Sequence, residues 1–579
     1  MIGVLAWPLL FTYSGFAGDW MHHLWFMWHQ SLSIQSGHVP SFFLNTSYSV
    51  FNPIFAFYGG TLYTVTGTLS LALGEAPMQA YILVYVLDFA AVLGGWYWLG
   101  RMAGLSRWLA LVPGLIFATS AYYLAVAYVL GDWPEFTGVS MIPLMVAAGL
   151  SVLRADRLRI GAAIALTVSS ILFFGSHNIT IMLGLTTLAI AGLAIVVCVP
   201  DARRQITWRG SARVAGVVVP AALVSAWYLL PAIIYASRTR LGREYAHVHE
   251  SLHATSKLVA FEHLFTLSRA SALATPSPYP FAVSLPLLAI AWVLAGILIL
   301  PWGGSNRMWR RLLLVCMGVA SLVIVAMTHV GVLLALPRQY TLIQFSYRLE
   351  SYVLLALCAA VLVALVLARG SERRLRIWTW LAIPVCAVSL IGAIQQLRGF
   401  PYPGQDRYTA LDSYAEDSAG NNEDYQDPSA PILPRRKLKT LEFPPSTVYN
   451  DRVSVSVRMR PGTLVATNIA AGSYLLEVTG AKPVGVDSEN DDLVLSIGDG
   501  GERHADEAGA PTQPIPEETI SVGTGNSLPI VLGRLLTLSG LAILALELLL
   551  LPACRLFVAR RANHRRVVAT TDQHRIKAG

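Results

Sequence analysis

The chain has 579 residues, of which 55% are hydrophobic and only 13% are charged, and its formal net charge is +8. Soluble globular proteins carry about 25% charged residues, so this composition excludes a large soluble fold and indicates an integral membrane protein. The positive residues are mostly arginines in short clusters between apolar stretches. That distribution is typical of cytoplasmic loops and not of a nucleic-acid-binding surface, so no nucleic-acid partner is expected.

Apolar stretches of the length that a bilayer-spanning helix needs, about 20 residues, occur along most of the chain. Met1–Ala17 has neither a basic n-region nor a small-residue cleavage site, and is interpreted as a short first span and not as a signal peptide. The other predicted spans are Gln79–Leu99, Trp108–Val129, Phe136–Leu153, Ile160–Gly175, Ile179–Val199, Ala212–Tyr235, Phe281–Pro301, Leu312–His329, Tyr352–Leu367, Thr379–Ile394 and Leu528–Pro552. The fold class predicted is an all-α polytopic membrane protein with about 12 transmembrane helices.

Arginine-rich loops alternate with loops that have little positive charge, which fixes the predicted sides of the membrane. By the positive-inside tendency, the basic loops and the tail 554–579 are cytoplasmic, and the alternate loops face outward. The loop Gly18–Pro53 contains no lysine or arginine, so it is predicted to be external. This requires that Ile54–Gly74 does not cross the membrane; its glycines favour a bent segment, although a crossing remains the alternative. Residues 18–78 then form one long external loop, and both termini are cytoplasmic.

A small β-rich external domain is predicted at 397–527, between the module 1–396 and the last helix, 528–553. Short alternating stretches such as Val453–Met459 and Leu493–Ile497 predict an antiparallel sheet, with Thr463–Ile469 and Tyr474–Val478 as further strands. Ser413–Pro431 and Gly498–Glu518 are interpreted as linkers. The five cysteines of the chain lie outside this domain and lack metal-ligand spacing, so neither disulfides nor zinc are expected to support it.

Acidic residues in two external loops are the candidate catalytic groups. Asp19 follows the first span, and on a helix it shares one face with His22 and His23. Asp132 and Glu135 lie in a very short second loop. They are interpreted either as helix-capping residues or, with Asp19, as carboxylates that hold a cation or divide the roles of base and stabiliser.

Positive and imidazole side chains in the later external loops are the candidate substrate-binding groups. Arg338 and Arg348 face outward against the general trend, and an arginine fork matches phosphate oxygens. Arg243 lies in a long loop, Ser237–Pro280, that could cover a site, and His177 lies in a short external turn. Asp88 lies within a span, where a carboxyl group is either functional or structurally paired.

The chain resembles the GT-C superfamily of membrane glycosyltransferases, and most closely the YfhO-like bacterial membrane proteins. The resemblance covers residues 1 to about 396 and depends on Asp19 with His22 and His23, on Gly37–Pro40 ahead of Asn52–Tyr58, and on Ile343–Arg348. A paired-acid motif is absent from the first loop. The resemblance implies an inverting transfer of a sugar from a polyprenyl-phosphate donor to a glycan, lipid or protein acceptor.

In that scheme Asp19 is the general base, Arg338 or Arg348 holds the phosphate, and the reaction occurs on the outer face of a bacterial cytoplasmic membrane. A divalent ion, Mg²⁺ or Mn²⁺, is left open, with Asp19 and Asp132 as its ligands. Two alternatives also remain open. One is a transporter or flippase of a lipid-linked or anionic solute; the other is a non-catalytic scaffold for assembly of the cell envelope.

Overall fold

In the computed structural model, the residues described are 1–9, 19–37, 41–44, 50–156, 159–239, 258–265, 284–299, 306–343, 345–399, 429–444, 452–498, 515 and 517–547. These residues form a helical bundle and a small β-domain. The main helices are α1 Trp20–Gln35, α2 Gly60–Ala72, α3 Pro77–Met102, α4 Arg107–Ala118, α5 Ala121–Leu130, α6 Trp133–Arg154, α7 Ile160–Gly175, α8 Asn178–Cys198, α9 Trp208–Leu223, α10 Ala226–Tyr235, α11 Leu287–Ile299, α12 Arg307–Thr328, α13 Glu350–Ala368, α14 Glu372–Gly399 and α15 Leu528–Glu547.

Seven helices in the described ranges are long and apolar enough to cross a membrane, and two bent helix pairs bring the number to nine. The predicted spans at Ile160–Gly175 and Phe281–Pro301 correspond to shorter helices, α7 and α11, in the described residues. The end of the predicted span Met1–Ala17 lies outside the described residues, as does the basic tail. The multi-pass architecture is therefore present, while the count of about 12 spans stays a prediction.

Two spans predicted as continuous helices are bent. Trp108–Val129 is divided into α4 and α5, which meet at 57°. At the break, Thr119 Oγ1 donates to the Leu115 carbonyl at 2.7 Å and Ser120 Oγ donates to the Phe117 carbonyl at 2.8 Å. Hydroxyls that bond the preceding turn compete with the helical ladder and favour a break there.

The second bend lies between α9 and α10, at 74°, within the predicted span Ala212–Tyr235. Thr537 of α15 satisfies the backbone at this break. Its Oγ1 contacts the Leu223 carbonyl at 3.1 Å and accepts the Trp227 N–H at 2.9 Å. A break in a membrane helix is tolerated where a neighbouring helix satisfies the freed backbone groups in this way.

Helix α13 lies at the centre of the bundle, since nearly all of its residues from Glu350 to Ala368 are buried. Helices α3 and α6 approach each other very closely beside it. A Cβ atom at Gly95 of α3 would lie 2.4 Å from the Leu144 backbone nitrogen of α6, so glycine is required there. Such close approach at small residues is the usual source of helix association in a bilayer, where no hydrophobic force acts between helices.

The predicted basic loops share one end of the bundle. Arg369, after α13, donates to the Gly104 carbonyl at 2.7 Å, and Arg213 of α9 donates to the Ala155 carbonyl after α6. The segments that connect α3 to α4 and α13 to α14 therefore adjoin each other, and the segment that connects α6 to α7 adjoins the beginning of α9. This grouping agrees with the alternation of loops deduced from arginines; which compartment that end faces stays a prediction.

Residues 54–74 form two short helices and not one long one. A helix at Ile54–Phe57 ends before Gly59, whose φ of 56° is left-handed, and α2 then covers 13 residues. The bend that the glycines predict is present. The crossing of the membrane by this segment, and the external location of 18–78, stay predictions.

The β-domain consists of two sheets, which corrects the expectation of a single antiparallel sheet. Strands β1 Ile432–Leu433, β2 Lys439–Thr440, β4 Leu464–Ala466, β6 Ala481–Asp487 and β7 Leu493–Ile497 form a mixed sheet in the order β1-β6-β7-β4-β2. The β1–β6 and β2–β4 pairs are parallel. An antiparallel sheet of three strands has the order β3-β8-β5, with β3 Arg452–Arg458, β5 Leu476–Thr479 and β8 Glu517–Thr524.

Four strands, β1, β2, β6 and β8, had no counterpart among the sequence predictions. β8 begins inside Gly498–Glu518, which was interpreted as linker; residues 499–514 and most of Ser413–Pro431 lie outside the described residues. The domain contacts the first loop of the bundle, because Val50 N–H donates to the Asn468 carbonyl at 2.8 Å and Ala470 N–H donates to the Val50 carbonyl at 2.9 Å. It also contacts α10, where Tyr235 Oη lies 2.6 Å from Ser527 Oγ.

Candidate functional site

The beginnings of four helices converge at the end of the bundle opposite the arginine clusters. Asp19, Asp132 and His177 are the N-cap residues of α1, α6 and α8, and Arg348 lies in the 3₁₀ turn Ser346–Leu349 that leads into α13. A helix N-terminus carries a positive partial charge and unpaired N–H groups, and it favours an anion nearby. The sequence-predicted residues are thus assembled where helix dipoles favour negative charge.

Arg348 lies at the centre of this cluster. Its Nη2 is 3.3 Å from Asp132 Oδ2, its Nε is 3.4 Å from Glu135 Oε2 and its Nη1 is 3.4 Å from His177 Nε2. These contacts are longer than the 2.7–2.9 Å of strong charge-assisted hydrogen bonds. The guanidinium is held by polar contacts on three sides without a tight bidentate pair, so some of its five N–H donors remain for a ligand.

Asp132 is both a helix cap and a member of the cluster around Arg348, so the capping interpretation of this residue is confirmed, and a catalytic role stays a prediction. Its Oδ1 accepts the Glu135 N–H at 3.1 Å, as an N-cap does, and the Tyr58 hydroxyl at 3.3 Å. Burial opposes ionisation of Asp132, but His177 and Arg348 favour it, so that the pKa of Asp132 lies below its usual value. Asp132 is therefore a fixed negative charge.

Glu135 lies one turn into α6 and is buried. Its Oε1 accepts the Tyr122 hydroxyl at 2.9 Å, while Oε2 faces Arg348. Both acids of the second loop are thus engaged in holding Arg348. Such an arrangement suits positioning of the guanidinium better than acid–base catalysis at these two residues.

Asp19 is the most accessible carboxylate of the group. Its backbone N–H donates to the Leu130 carbonyl at 2.9 Å, which places it beside the short loop of Asp132. Although Asp19 itself is exposed, the protein around it removes bulk water and, together with the charge of Asp132, raises the pKa of Asp19. An accessible carboxylate with a raised pKa suits a general base.

His22 and His23 have different surroundings, so the shared face predicted from their spacing is only partly realised. His22 is half-buried beside Phe26, at 6.3 Å between ring centroids. His23 is buried, its Nδ1 lies 2.7 Å from Tyr63 Oη, and its ring stacks on Tyr58. Burial lowers the pKa of His23 to about 3, so it is neutral at physiological pH.

His177 joins the cluster as a neutral ring. Its Nδ1 lies 3.0 Å from Thr180 Oγ1, which leaves Nε2 towards Arg348. Burial, assisted by the charge of Arg348, lowers the pKa of His177 to about 4. The imidazole therefore adds a polar contact for Arg348 without a second positive charge.

The cluster also has the ligand types of a cation site. One ligand atom each from Asp132, Glu135 and His177 lie within 4.8 Å of one another, and two carboxylates with an imidazole suit a divalent transition metal. The Arg348 guanidinium contacts the same three side chains and would repel a dication there. The residues do not fit a resident metal while Arg348 keeps this place, and Asp19 is not part of the group.

The remaining predicted residues are Arg338, Arg243 and Asp88. The backbone of Arg338 lies in a 3₁₀ turn, Arg338–Ile343, but its side chain is outside the described residues, as is all of Arg243. Asp88 is fully buried in α3, where it accepts the Thr137 hydroxyl at 2.8 Å through Oδ2. This pairing fits the structural interpretation of Asp88, although its Oδ1 has no hydrogen-bond partner among the described residues.

Three tyrosines that contact the candidate residues were not predicted from the sequence. Tyr58 bonds Asp132, Tyr122 bonds Glu135, and Tyr63 bonds His23. Tyr58 ends the segment Asn52–Tyr58 on which the family resemblance partly depends, but nothing in the sequence marks Tyr122, which is one of several aromatic residues in a predicted span. Only the spatial arrangement identifies it.

No protein-family model matches the chain, and no curated protein matches it. Among solved structures, the chain is similar to the Archaeoglobus fulgidus oligosaccharyltransferase in its apo form, with 13% identity, a TM-score of 0.41 and coverage of 75% of this chain and 60% of that one. It is also similar to the oligosaccharyltransferase AglB of Archaeoglobus fulgidus in complex with an inhibitory peptide and a dolichol-phosphate, with 12% identity, a TM-score of 0.42 and coverage of 76% and 61%.

The chain thus spans about three fifths of the length of these archaeal proteins. A similarity this distant does not decide activity, so function is inferred from the site. The closeness to YfhO-like proteins stays a prediction.

Proposed function

We propose that the chain is a membrane glycosyltransferase that moves a sugar from a polyprenyl-phosphate donor to an acceptor at the outer face of a bacterial cytoplasmic membrane. The observation that carries the proposal is the placement of Arg348 among Asp132, Glu135 and His177, at the meeting point of helix N-termini and beside the accessible Asp19. One positive group for a phosphate and one free carboxylate for a hydroxyl are the groups that such a transfer needs.

Arg348 is the proposed phosphate contact. Its side chain is 12% exposed, so a ligand can reach it from one side while the carboxylates hold it from the other. The helix N-termini around it add favourable potential for an anion. Asp132 and Glu135 keep the guanidinium oriented and, in this scheme, are positioning residues.

Asp19 is the proposed general base. It accepts the proton of an acceptor hydroxyl as the hydroxyl oxygen forms a bond to the anomeric carbon of the sugar. The bond from that carbon to the phosphate oxygen breaks, and the polyprenyl phosphate leaves with its charge balanced by Arg348. This displacement inverts the anomeric centre. His22, which is half-buried beside Asp19, is placed to contact the sugar or the acceptor. No step uses a metal.

The module 1–396 carries this chemistry in the proposal. The external loop 18–78 and the β-rich domain 397–527 then lie on the side of the acceptor, and the helix at 528–553 returns the chain to a cytoplasmic tail at 554–579. The acceptor is a cell-envelope glycan, lipid or protein.

The test is turnover of a panel of polyprenyl-phosphate sugars by the full-length protein in lipid nanodiscs. Asp19→Asn and Arg348→Ala should each lose at least about 100-fold in turnover. Matched controls are Asp156→Asn and Arg398→Ala, which change exposed residues outside the cluster. Full activity of Asp19→Asn, or the absence of any reacting donor, would sink the proposal.

A transporter or flippase is the second candidate, because two helix pairs are bent and Asp88 has a carboxyl oxygen without a partner among the described residues. Discontinuous helices and intramembrane carboxylates are common in transporters. Loss of solute flux in vesicles on Asp88→Asn, with no transferase activity in the unaltered protein, would favour it. If replacements of Asp19, Asp88 and Arg348 all left function intact, a scaffold would be favoured.

A further inference from the structure

An apolar cavity of about 400 Å³ lies between α8 and the rest of the bundle. Its walls come from α3, α6, α8, α12 and α13, and include Leu150, Gly192, Ile195, Trp309 and Ala359. The volume is within the range of about 300–1,000 Å³ typical of small-molecule sites. Because its lining is almost wholly hydrocarbon, its occupant must be apolar where it lies in the cavity.

The cavity borders the part of α8 that is not buried in the bundle. The buried residues of α8 are Thr180, Ile181, Leu183 and Gly184, all in its first two turns. From Leu185 to Cys198 no described residue of the helix is buried. The residues of α8 that line the cavity run from Gly184 to Ile195, towards the end of the bundle that carries the arginines.

Towards the candidate site, a hydrogen bond joins α13 to α8. Tyr352, which lines the cavity, donates its hydroxyl to the Thr180 carbonyl at 2.9 Å. Arg348 lies one turn before Tyr352 and is not among the residues that line the cavity.

The opposite end is basic. Arg154, the last residue of α6, lines the cavity there and is exposed. Exposed arginines at 203, 204 and 307 lie at the neighbouring ends of α8 and α12. An apolar cavity with an arginine at its mouth complements a molecule with a hydrocarbon chain and an anionic head.

We propose that this cavity binds one acyl chain of an anionic glycerophospholipid from the leaflet at the arginine end, with the phosphate at Arg154. The phospholipid fills the gap behind α8 and supports the helix that presents His177. Because its phosphate lies at the end opposite Arg348, this lipid is distinct from the proposed sugar donor. The proposal does not depend on transferase activity.

The test is native mass spectrometry of the full-length protein, released from nanodiscs that contain equal amounts of phosphatidylglycerol and phosphatidylcholine. The unaltered protein should retain one phosphatidylglycerol molecule. Gly192→Leu should reduce this adduct at least about fivefold. Gly192 lines the cavity, and a Cβ there meets no atom within 4 Å, so a leucine fits without a clash and takes up space that the acyl chain needs. Ala359→Phe, from the opposite wall, should have the same effect.

Arg154→Gln should keep a lipid adduct but lose the preference for phosphatidylglycerol. The controls are Gly216→Leu, an exposed helical glycine that also has open space around it, and Arg209→Gln, an exposed arginine at the same end of the bundle. Both should behave as the unaltered protein.

The proposal is overturned if no lipid is retained, or if the adduct survives both Gly192→Leu and Ala359→Phe. It is equally overturned if added polyprenyl phosphate displaces the phosphatidylglycerol, which would assign the cavity to a donor chain. Thermal unfolding of each variant in the same nanodiscs distinguishes loss of the lipid from loss of the fold.

Discussion

Arg348 and Asp132, far apart in the chain, meet at 3.3 Å between Nη2 and Oδ2 in a largely buried setting. Glu135 adds a second carboxylate at 3.4 Å from Nε. Two buried acids beside one arginine leave a net negative charge when both are ionised. Removing one member of a buried ion pair costs more than the pair contributes, because the remaining charge is left uncompensated.

The first prediction separates the structural and substrate roles of Arg348. Arg348→Ala should destabilise the protein by about 3–5 kcal/mol, since it leaves the buried Asp132 carboxylate without its positive partner. Adding Asp132→Asn should recover part of that loss, because the uncompensated buried charge is removed. Turnover should not recover, since the phosphate contact is still missing.

Thermal unfolding and sugar transfer in nanodiscs measure the two effects. A coupling free energy between the two sites of about 0.5–3 kcal/mol is expected for residues in contact. If the double variant recovered activity along with stability, Arg348 would have only a structural role.

The second prediction concerns the pH dependence of transfer. Turnover should fall as pH falls through the pKa of Asp19, because a protonated carboxyl group cannot accept the proton of the acceptor. The surrounding protein, which removes bulk water, and then the charge of Asp132 raise that pKa above its usual value. Asp132→Asn removes the second contribution, so the acid limb of its residual activity should move to lower pH.

The limb is assigned to Asp19 and not to His23 or His177. Burial lowers the pKa of His23 to about 3 and the pKa of His177 to about 4, so both rings are neutral at physiological pH. His177→Asn should therefore keep the position of the acid limb even if it lowers turnover. A limb that disappeared in His177→Asn but persisted in Asp19→Asn would reverse the assignment.

The third prediction concerns the break between α9 and α10. Thr537→Val keeps the shape of the side chain but removes the hydroxyl that contacts the Leu223 carbonyl and the Trp227 N–H. Leaving buried polar groups unsatisfied costs about 1–3 kcal/mol each, so the melting temperature should fall. Thr537→Ser should stay close to the unaltered protein.

Ser539→Ala is the matched control on the same helix, because its hydroxyl contacts only the Leu535 carbonyl of α15 and is exposed. An equal fall in melting temperature for Thr537→Val and Ser539→Ala would contradict the proposed role of Thr537.

Sequence patterns predicted the parts of the fold that depend on composition. The length of the apolar stretches predicted where most helices lie, and the positions of the arginines predicted which loops lie at the same end of the bundle. The bend between α9 and α10 could not be predicted, because the hydroxyl that satisfies this break lies more than 300 positions away at Thr537. Strand β8 was missed because residues 498–518 are rich in glycine, proline and acids, and its pairing partners β3 and β5 lie earlier in the chain.

The candidate site was also predictable only in part. Asp19, Asp132 and Glu135 were identified as acids in predicted external loops, and Arg348 was identified as an arginine that faces outward against the general trend. Their division of roles was not, since only geometry shows that Asp132 and Glu135 share Arg348 while Asp19 stays accessible. Tyr122 carries no sequence signal, because a tyrosine in an aromatic span is ordinary.

The fourth prediction concerns Asp492 in the β-domain, which is 4% exposed and has an Oδ1 without a hydrogen-bond partner among the described residues. Burial, and then the charge of Asp487, raise the pKa of Asp492 to about 7. The folded state therefore binds a proton that the unfolded state has released, so stability falls as pH rises from about 4 to about 7.

Asp492→Asn removes this cost and should unfold at a higher temperature than the unaltered protein at pH 8, but at the same temperature near pH 4. Asp491→Asn, its neighbour in the same turn, is the control. Unfolding of the full-length protein in nanodiscs at both pH values measures the difference, and a variant without any gain at pH 8 would show that Asp492 ionises at its ordinary pKa.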